Sequence, residues 1–386
     1  MATTRRMFGL GSAALGAAAL GSAAHQAWLW RSRGSANIGA LQPIPVFDLR
    51  ASNPATHAIA RRDRAKALAE ACLGTLTPAA RLGLAGADHV ARRWLQASGT
   101  PYLEELARIA EGTGVAGAHL LNTSYEWGCT SLAAPAPDNA SARLLRTLDW
   151  PFHGLGRHVE LWRQTGPAGD FVHLSWPGAV GLLTGMAPGR FAAAINQPPM
   201  KRRAPGDNAN LDAALAALAA WQSTGRMPAL HLLRRAFETA GSYAEAKALL
   251  ERTPIAAPVI FTLVGLRPDE TCVIERDIDA FVTREGVASA ANAWRYANFP
   301  GEWHGGRASE EAQDSGERSA FIETWAGRDG TPFAWVEPPI LNAMTRLAVE
   351  ADPARGTLRA IGYEEAPRGD TALPATLPLD WSAAVA

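Results

Sequence analysis

Along the first third of the chain apolar residues recur three and four apart, the period of an amphipathic helix. Pro54 to Leu73 reads as one helix carrying arginines among its apolar positions. Thr77-Pro78 opens a second, with threonine as N-cap and proline in the first turn, running to about Gln96 ahead of Gly99. Thr100-Pro101 opens a third in the same way; Gly112 and Gly114 close it, and a short segment from His119 to Tyr125 follows. Upstream, Ile38 to Asp48 is strand-like but broken by Pro43 and Pro45.

Past Cys129 the period falls to two. Ser131 to Ala134, Arg143 to Trp150, Val159 to Gln164, Phe171 to Trp176, Ala179 to Met186 and Arg190 to Asn196 read as successive strands of an antiparallel meander. Turns such as Pro135 to Asn139 and Pro188-Gly189 separate them. Helical spacing returns from Asn210 to Trp221 and from Pro228 to Ala240, and Ser242 to Glu245 forms a capping box for a helix that Pro254 ends. Strands resume at Val259 to Leu266, Thr271 to Arg276, Val287 to Ala291 and Leu341 to Val349. Strands, helices and strands again predict an α+β domain, two sheets sandwiched between helical layers. There is no internal repeat.

The 386 residues are enough to bury a large core, and 47% hydrophobic with 19% charged residues is a globular composition. Formal net charge is zero, from 37 basic and 37 acidic residues, which gives no footing to nucleic acid as a partner. Cys72, Cys129 and Cys272 are scattered and odd in number, so they form neither a disulfide framework nor a metal set. His153 and His158, five apart among glycines, are poor metal ligands, and no metal or cofactor is expected. Thirteen tryptophans against five tyrosines suit core filling or an apolar pocket for an acyl chain. The Lys201-Arg202-Arg203 run reads as a solvated face or as a lip that touches a lipid surface.

The first thirty residues read as an address. Arg5-Arg6 precedes an apolar, Gly/Ala-rich run from Gly9 to Ala24, and Ser22-Ala23-Ala24 offers small residues for cleavage. A twin arginine before a weakly hydrophobic segment is the pattern of the twin-arginine export signal, which predicts a periplasmic or extracellular protein. Retention as an N-terminal membrane anchor is the alternative.

The chemistry concentrates at Gly128-Cys129-Thr130-Ser131. Arg146 follows Cys129 by 17 residues and Asp149 by 20, both on the Arg143 to Trp150 strand. If the Gly128–Cys129 bond is cut, Cys129 supplies a thiol and an α-amine whose ordinary pKa, about 7.7–8.0, makes it a base near neutral pH. Glycine leaves the preceding carbonyl unhindered. Asp149 would hold the new ammonium, and Arg146 would pair with Asp149 and lower the thiol pKa. Residues three apart on a strand face opposite sides, so that cooperation requires a local irregularity.

Asn122 to Ser131, with Tyr125-Glu126 ahead of Cys129-Thr130-Ser131 and Arg146-Thr147-Leu148-Asp149 behind, resembles the junction of the acid ceramidase and N-acylethanolamine-hydrolysing acid amidase family. That family belongs to the N-terminal-nucleophile superfamily, which includes bile salt hydrolase and penicillin V acylase. Two departures are a shorter link from Glu126 to Cys129, and Thr147 where the family has asparagine. Gly185 to Asn196 resembles the segment that carries an oxyanion-hole asparagine, which would give Asn196 that role. Ser289 to Asn292 falls where the second asparagine stands, with Asn298 as rival; Ser315 to Arg318 resembles a segment carrying an active-site arginine, and Leu341 to Thr345 the closing strand.

The resemblance implies an αββα sandwich of two antiparallel sheets between helical layers. It implies a signal over residues 1–30, a helical fragment over 31–128 and a catalytic fragment over 129–386. Cys129, Arg146, Asp149, Asn196, Asn292 and Arg318 would act on a small N-acyl amide with a lipid-like acyl chain through a thioester, and the cleaved N-terminal fragment would stay as partner. The alternatives are acyl transfer of the penicillin-biosynthesis type, bile salt or penicillin V acylase activity, and a non-catalytic exported lipid-binding protein of the same fold.

Overall fold

A computed structural model describes residues 39–73, 78–123, 128–150, 152–206, 209–304 and 310–384. The twin-arginine segment, Thr77 and the Tyr125-Glu126 pair lie outside these residues. Two short strands, β1 (Gln42–Pro43) and β2 (Val46–Asp48), lead into α1 (Pro54–Ala60) and α2 (Arg62–Leu73). This stretch is two helices rather than the single one expected. Arg61 leaves helical geometry and its N–H caps the His57 and Ile59 carbonyls, while Asn53 caps the start through Thr56 N. Next come α3 (Pro78–Ser98), α4 (Leu103–Thr113) and α5 (Ala118–Leu121); α4 stops at Gly114, whose φ of 65° suits glycine.

The next strands are β3 (Gly128–Pro135) and β4 (Ala142–Asp149), then a single helical turn α6 (Leu155–His158), then β5 (Glu160–Gly166), β6 (Gly169–Ser175), β7 (Thr184–Ala187) and β8 (Phe191–Asn196). They do not form one meander: β3 and β4 belong to one sheet and β5 to β8 to the other. The α6 turn makes the crossing. The strand expected over Ala179 to Met186 is mostly loop, and only β7 pairs. Gly181 packs so closely under Leu230 that a Cβ there would come 1.7 Å from Leu230 Cδ1.

Helices α7 (Ala209–Gln222), α8 (Ala229–Thr239) and α9 (Tyr243–Arg252) follow, the last with Ser242 accepting from Glu245 N as the capping box predicts. The chain ends with β9 (Val259–Val264), β10 (Thr271–Arg276), β11 (Phe281–Glu285), β12 (Ala288–Ala290), α10 (Glu310–Glu323), β13 (Thr345–Asp352), β14 (Thr357–Glu365), β15 (Ala372–Pro374), β16 (Thr376–Leu377) and β17 (Leu379–Ser382).

One sheet runs β11-β10-β9-β8-β7-β6-β5-β2 and the other β12-β3-β4-β13-β14-β15, with β17 also on β14. Apart from the parallel β2–β5 pair, neighbours within both are antiparallel. Alternation along the strands sorts the core. Ala133, Leu144, Leu148 and Val349 of one sheet meet Val172, Leu174, Ala192 and Ala194 of the other. On the outer faces Phe171, Phe191 and Ile195 pack under α8 and α9, and Leu132, Leu145 and Ala348 under Ile322 of α10. The layers are helix, sheet, sheet, helix.

The region before β3 is fastened onto this sandwich. β2 extends the first sheet along β5. Fully buried Glu160 on β5 meets His57 Nε2 at 2.8 Å, accepts from Trp162 Nε1 at 2.8 Å and ion-pairs with Arg64 at 3.0 Å. Arg234 on α8 grips Glu105 of α4 with two guanidinium nitrogens, at 2.6 and 3.1 Å. Among the described residues no helix is long and apolar enough to cross a membrane.

The α6 turn is pinned from the other side. The buried Glu364 carboxylate accepts from the N–H groups of Gly154, Gly156 and Arg157. A Cβ on Gly156 would lie 2.0 Å from the Tyr363 carbonyl oxygen. Gly156→Ala is therefore expected to push α6 off β14 and cost about 2–3 kcal/mol, read as a lowered urea midpoint with an unchanged slope.

Candidate active site

The site is built where β3, the end of β8 and the loop after β12 meet. Cys129 is the second residue of β3, and side-chain alternation turns its sulfur into the space between the sheets with Ser131 and Ala133. It is fully buried. Arg146 of β4 points the same way as Leu144 and Leu148, and its Nη2 donates to Cys129 Sγ at 3.2 Å and to the Ile195 carbonyl at 3.2 Å. Arg146 is also fully buried, and its Nε and Nη1 find no acceptor among the described residues. No carboxylate there forms an ion pair with it.

Asp149 lies across the ladder from Gly128, on the opposite face from Arg146. Its carboxylate accepts from Thr345 Oγ1 at 2.9 Å and Asn342 Nδ2 at 3.1 Å, and Arg318 Nη1 stands 3.9 Å away. The expected Arg146–Asp149 pair is thus not formed: three residues along a strand put the two on opposite faces. An irregularity does exist, but it falls on the partner strand, where the β13–β4 register slips between Thr345 and Leu347. Gly128 is tight here, for a Cβ would lie 3.0 Å from Asp149 Cβ.

Arg318 reaches in from α10. Nη1 donates to the Cys129 carbonyl at 2.8 Å and to Thr130 Oγ1 at 2.9 Å, and Nη2 donates to Asn292 Oδ1 at 3.0 Å. That Asn292 oxygen also accepts the Cys129 N–H at 3.0 Å, while Asn292 Nδ2 donates to the Gln197 carbonyl at 2.9 Å. Asn298 is exposed, so Asn292 is the asparagine that meets Cys129. Asn196 is buried at the end of β8, where Nδ2 donates to the Ala290 and Ala291 carbonyls and Oδ1 accepts from Ser131 Oγ. Its side chain clamps the loop that carries Asn292.

All six residues singled out in the sequence therefore converge on one buried cluster. Four that carry it were missed as site residues: Ser131, Thr262, Asn342 and Thr345. Ser131 Oγ and Thr262 Oγ1 are 2.7 Å apart and brace the two sheets beneath the sulfur. A small hydroxyl inside a strand has no sequence signature; Asn342 and Thr345 lay in a segment read as structural.

Burial pushes the Cys129 thiol pKa up; Arg146 pulls it down, as expected, and so does Arg318, but in the uncut protein burial outweighs both. Burial likewise raises the Asp149 carboxyl, against Arg318 and the Asn342 and Thr345 hydrogen bonds.

A cavity of about 150 Å³ opens beside Leu148, which faces Cys129 across the β3–β4 ladder. Trp150, Phe152 and Trp176 wall it on one side and Leu68 and Cys72 of α2 with Ile109 of α4 on the other. Two of the tryptophans thus line a pocket that the region before β3 closes.

No protein-family profile matches the chain. Acid ceramidase of Pan troglodytes is 35% identical over 110 residues, 28% of this chain and 25% of that protein. N-acylethanolamine-hydrolyzing acid amidase of Mus musculus is 28% identical over 211 residues, 53% of this chain and 52% of that protein. The chain thus spans between a quarter and about half the length of these curated relatives. Among solved structures, a Caenorhabditis elegans N-acylethanolamine-hydrolyzing acid amidase ortholog overlays with a TM-score of 0.46 at 17% identity, covering 58% of this chain and 93% of that one.

Proposed function

We propose that this relative of acid ceramidase and N-acylethanolamine-hydrolysing acid amidase is an exported cysteine amidase of the N-terminal-nucleophile kind. It cuts itself between Gly128 and Cys129 and then hydrolyses a linear N-acyl amide with an apolar acyl group. One observation carries the reading: Arg146 is a fully buried guanidinium directed at the Cys129 sulfur instead of at a carboxylate. A buried cation without a counter-ion is costly unless a charge develops beside it, and a thiolate at Sγ is that charge. The second support is that the Cys129 backbone N–H and carbonyl are themselves held in the polar cluster, by Asn292 and Arg318.

In maturation Sγ attacks the Gly128 carbonyl carbon. The bond to the Cys129 nitrogen breaks as that nitrogen takes up the thiol proton, leaving a thioester. Water then hydrolyses the thioester, releasing the Gly128 carboxylate and restoring the thiol. In turnover the new α-amine takes the thiol proton, the thiolate beside Arg146 attacks the substrate carbonyl, and the amine leaves with the proton. Water frees the acid from the acyl-enzyme. Asn292 holds the Cys129 N–H through Oδ1, and its Nδ2, which donates to the Gln197 carbonyl in the uncut chain, is the group that would serve as oxyanion donor; Asn196 positions the loop that carries it. Arg318 holds the backbone of the nucleophile through the Cys129 carbonyl, and Asp149, 3.9 Å from Arg318, would hold the new ammonium once the chain is cut. Arg5-Arg6 ahead of the Gly9 to Ala24 run supports export by the twin-arginine route.

Denaturing mass spectrometry of the purified protein is the direct test. Two fragments are expected, one beginning at Cys129; a single intact chain would sink self-cleavage. Asn292→Ala is expected to lower kcat by about 10²–10³ and Asn298→Ala to leave it unchanged, measured on the matured enzyme.

A further inference from the structure

The cavity beside Leu148 says how large the acyl group can be. Resting on the amidase reading above, we propose that this protein selects a short acyl group of about six to eight carbons, straight or phenyl-bearing, over a long fatty chain. The cavity measures about 150 Å³. An apolar cavity of that size in another protein encloses one benzene ring, so a hexadecanoyl tail carries roughly two to three times the carbon this space can take.

The cavity is open to the surface on one side, and it is the closed, nucleophile-side end that leaves little room for growth. Gly181 and Leu230 close one end, and there even a single Cβ on the glycine would stand 1.7 Å from Leu230 Cδ1. Ile109 and Thr113 of α4 are almost wholly buried. Helices that pack this tightly resist added methylenes. The occupant is also apolar throughout. Thr113 Oγ1 donates to the Ile109 carbonyl, Trp176 Nε1 to the Leu155 carbonyl, and Asn122 spends Nδ2 on Ala118 and Gly178 and Oδ1 on Val180 N. These three side chains are thus turned to backbone rather than toward the space.

Position links the cavity to the reaction. Directly opposed residues of an antiparallel pair have Cα atoms about 4.5–5.5 Å apart, so the Leu148 Cα sits at about that distance from the Cys129 Cα, with both side chains on the face between the sheets. A carbonyl at the sulfur would send its chain past Leu148 into the pocket. Nearly half of the selecting wall, on α2, α4 and α5 with Val115 and Asn122, comes from the region before the cut, so the two fragments would share the choice of substrate.

The test is a series of amides with one common fluorogenic amine and butanoyl, hexanoyl, octanoyl, phenylacetyl, dodecanoyl or hexadecanoyl groups. The kcat/KM of wild-type enzyme should peak at hexanoyl, octanoyl or phenylacetyl, at least about tenfold above hexadecanoyl. Ala69→Phe, which fills the α2 wall, should move the peak to butanoyl, and Leu121→Ala should move it toward dodecanoyl. Hydrolysis that is flat with length, or best with hexadecanoyl, overturns the proposal and leaves the amidase reading standing. Calorimetry of octanoate and hexadecanoate on the Cys129→Ala protein separates the reverse case. Octanoate binding at least tenfold tighter supports the pocket even if no amide is cleaved, and equal or weaker binding refutes it.

Discussion

Cys129→Ala is expected to yield a single uncut chain that folds and hydrolyses nothing. One sulfur is asked to open its own peptide bond and then to open the substrate's, so the substitution removes both activities at once. A nucleophile and its base act as a unit, and the loss should reach several orders of magnitude. The uncut geometry makes the result interpretable. Cys129 is held through its N–H by Asn292 and through its carbonyl by Arg318, neither of which needs the side chain. Alanine should therefore preserve the fold, with circular dichroism and melting close to those of the parent. Intact mass, the sequence of the new N-terminus and amide turnover are the three readouts. A Cys129→Ala protein that still splits at residue 128, or still turns over amide, would end the assignment.

Arg318→Ala should be the most damaging change outside the nucleophile. One guanidinium serves the Cys129 carbonyl, Thr130 Oγ1, Asn292 Oδ1 and, at 3.9 Å, Asp149. Its removal leaves a buried carboxylate without a cation, which costs about 3–5 kcal/mol in stability. It also frees the backbone that presents the sulfur, and kcat/KM should fall by at least about a hundredfold. Lysine should not rescue, because a single ammonium cannot reproduce a planar fork that reaches acceptors on two sides. Urea denaturation and steady-state kinetics on Arg318→Ala and Arg318→Lys decide the matter. A variant with wild-type stability and turnover would show that α10 is packing only.

How much of this could be read from sequence depended on whether local order carried the information. Cys129, Arg146 and Asp149 sit on two hydrogen-bonded neighbours, β3 and β4, so their spacing along the chain reports their spacing in space. The pairing of Arg146 with Asp149 was misread because strand alternation was subordinated to charge: the two face opposite sides, and Arg318, far along the chain, is the cation on the Asp149 side. The helix that carries Arg318 was not expected at all. Glu310–Glu323 is rich in charge, with serine and glycine inside, and it helps cover a sheet through Ile322. The C-terminal strands β14 to β17 were likewise missed. In β14 the period-two pattern is broken by Gly362, kept small by the Gly156 backbone, and by Glu364, buried because it caps α6. Both residues answer to partners two hundred positions away.

The parallel pairing of β2 with β5 has a meaning beyond attachment. β5 is the last strand of the sheet in the catalytic half, and β2 comes from the other side of the proposed cut. A catalytic half made or left alone would present a bare row of amides and carbonyls on that strand, a template on which another molecule could polymerise. The segment before Cys129 thus covers part of the edge of the sheet, and under the proposed cleavage its continued presence would keep that edge paired.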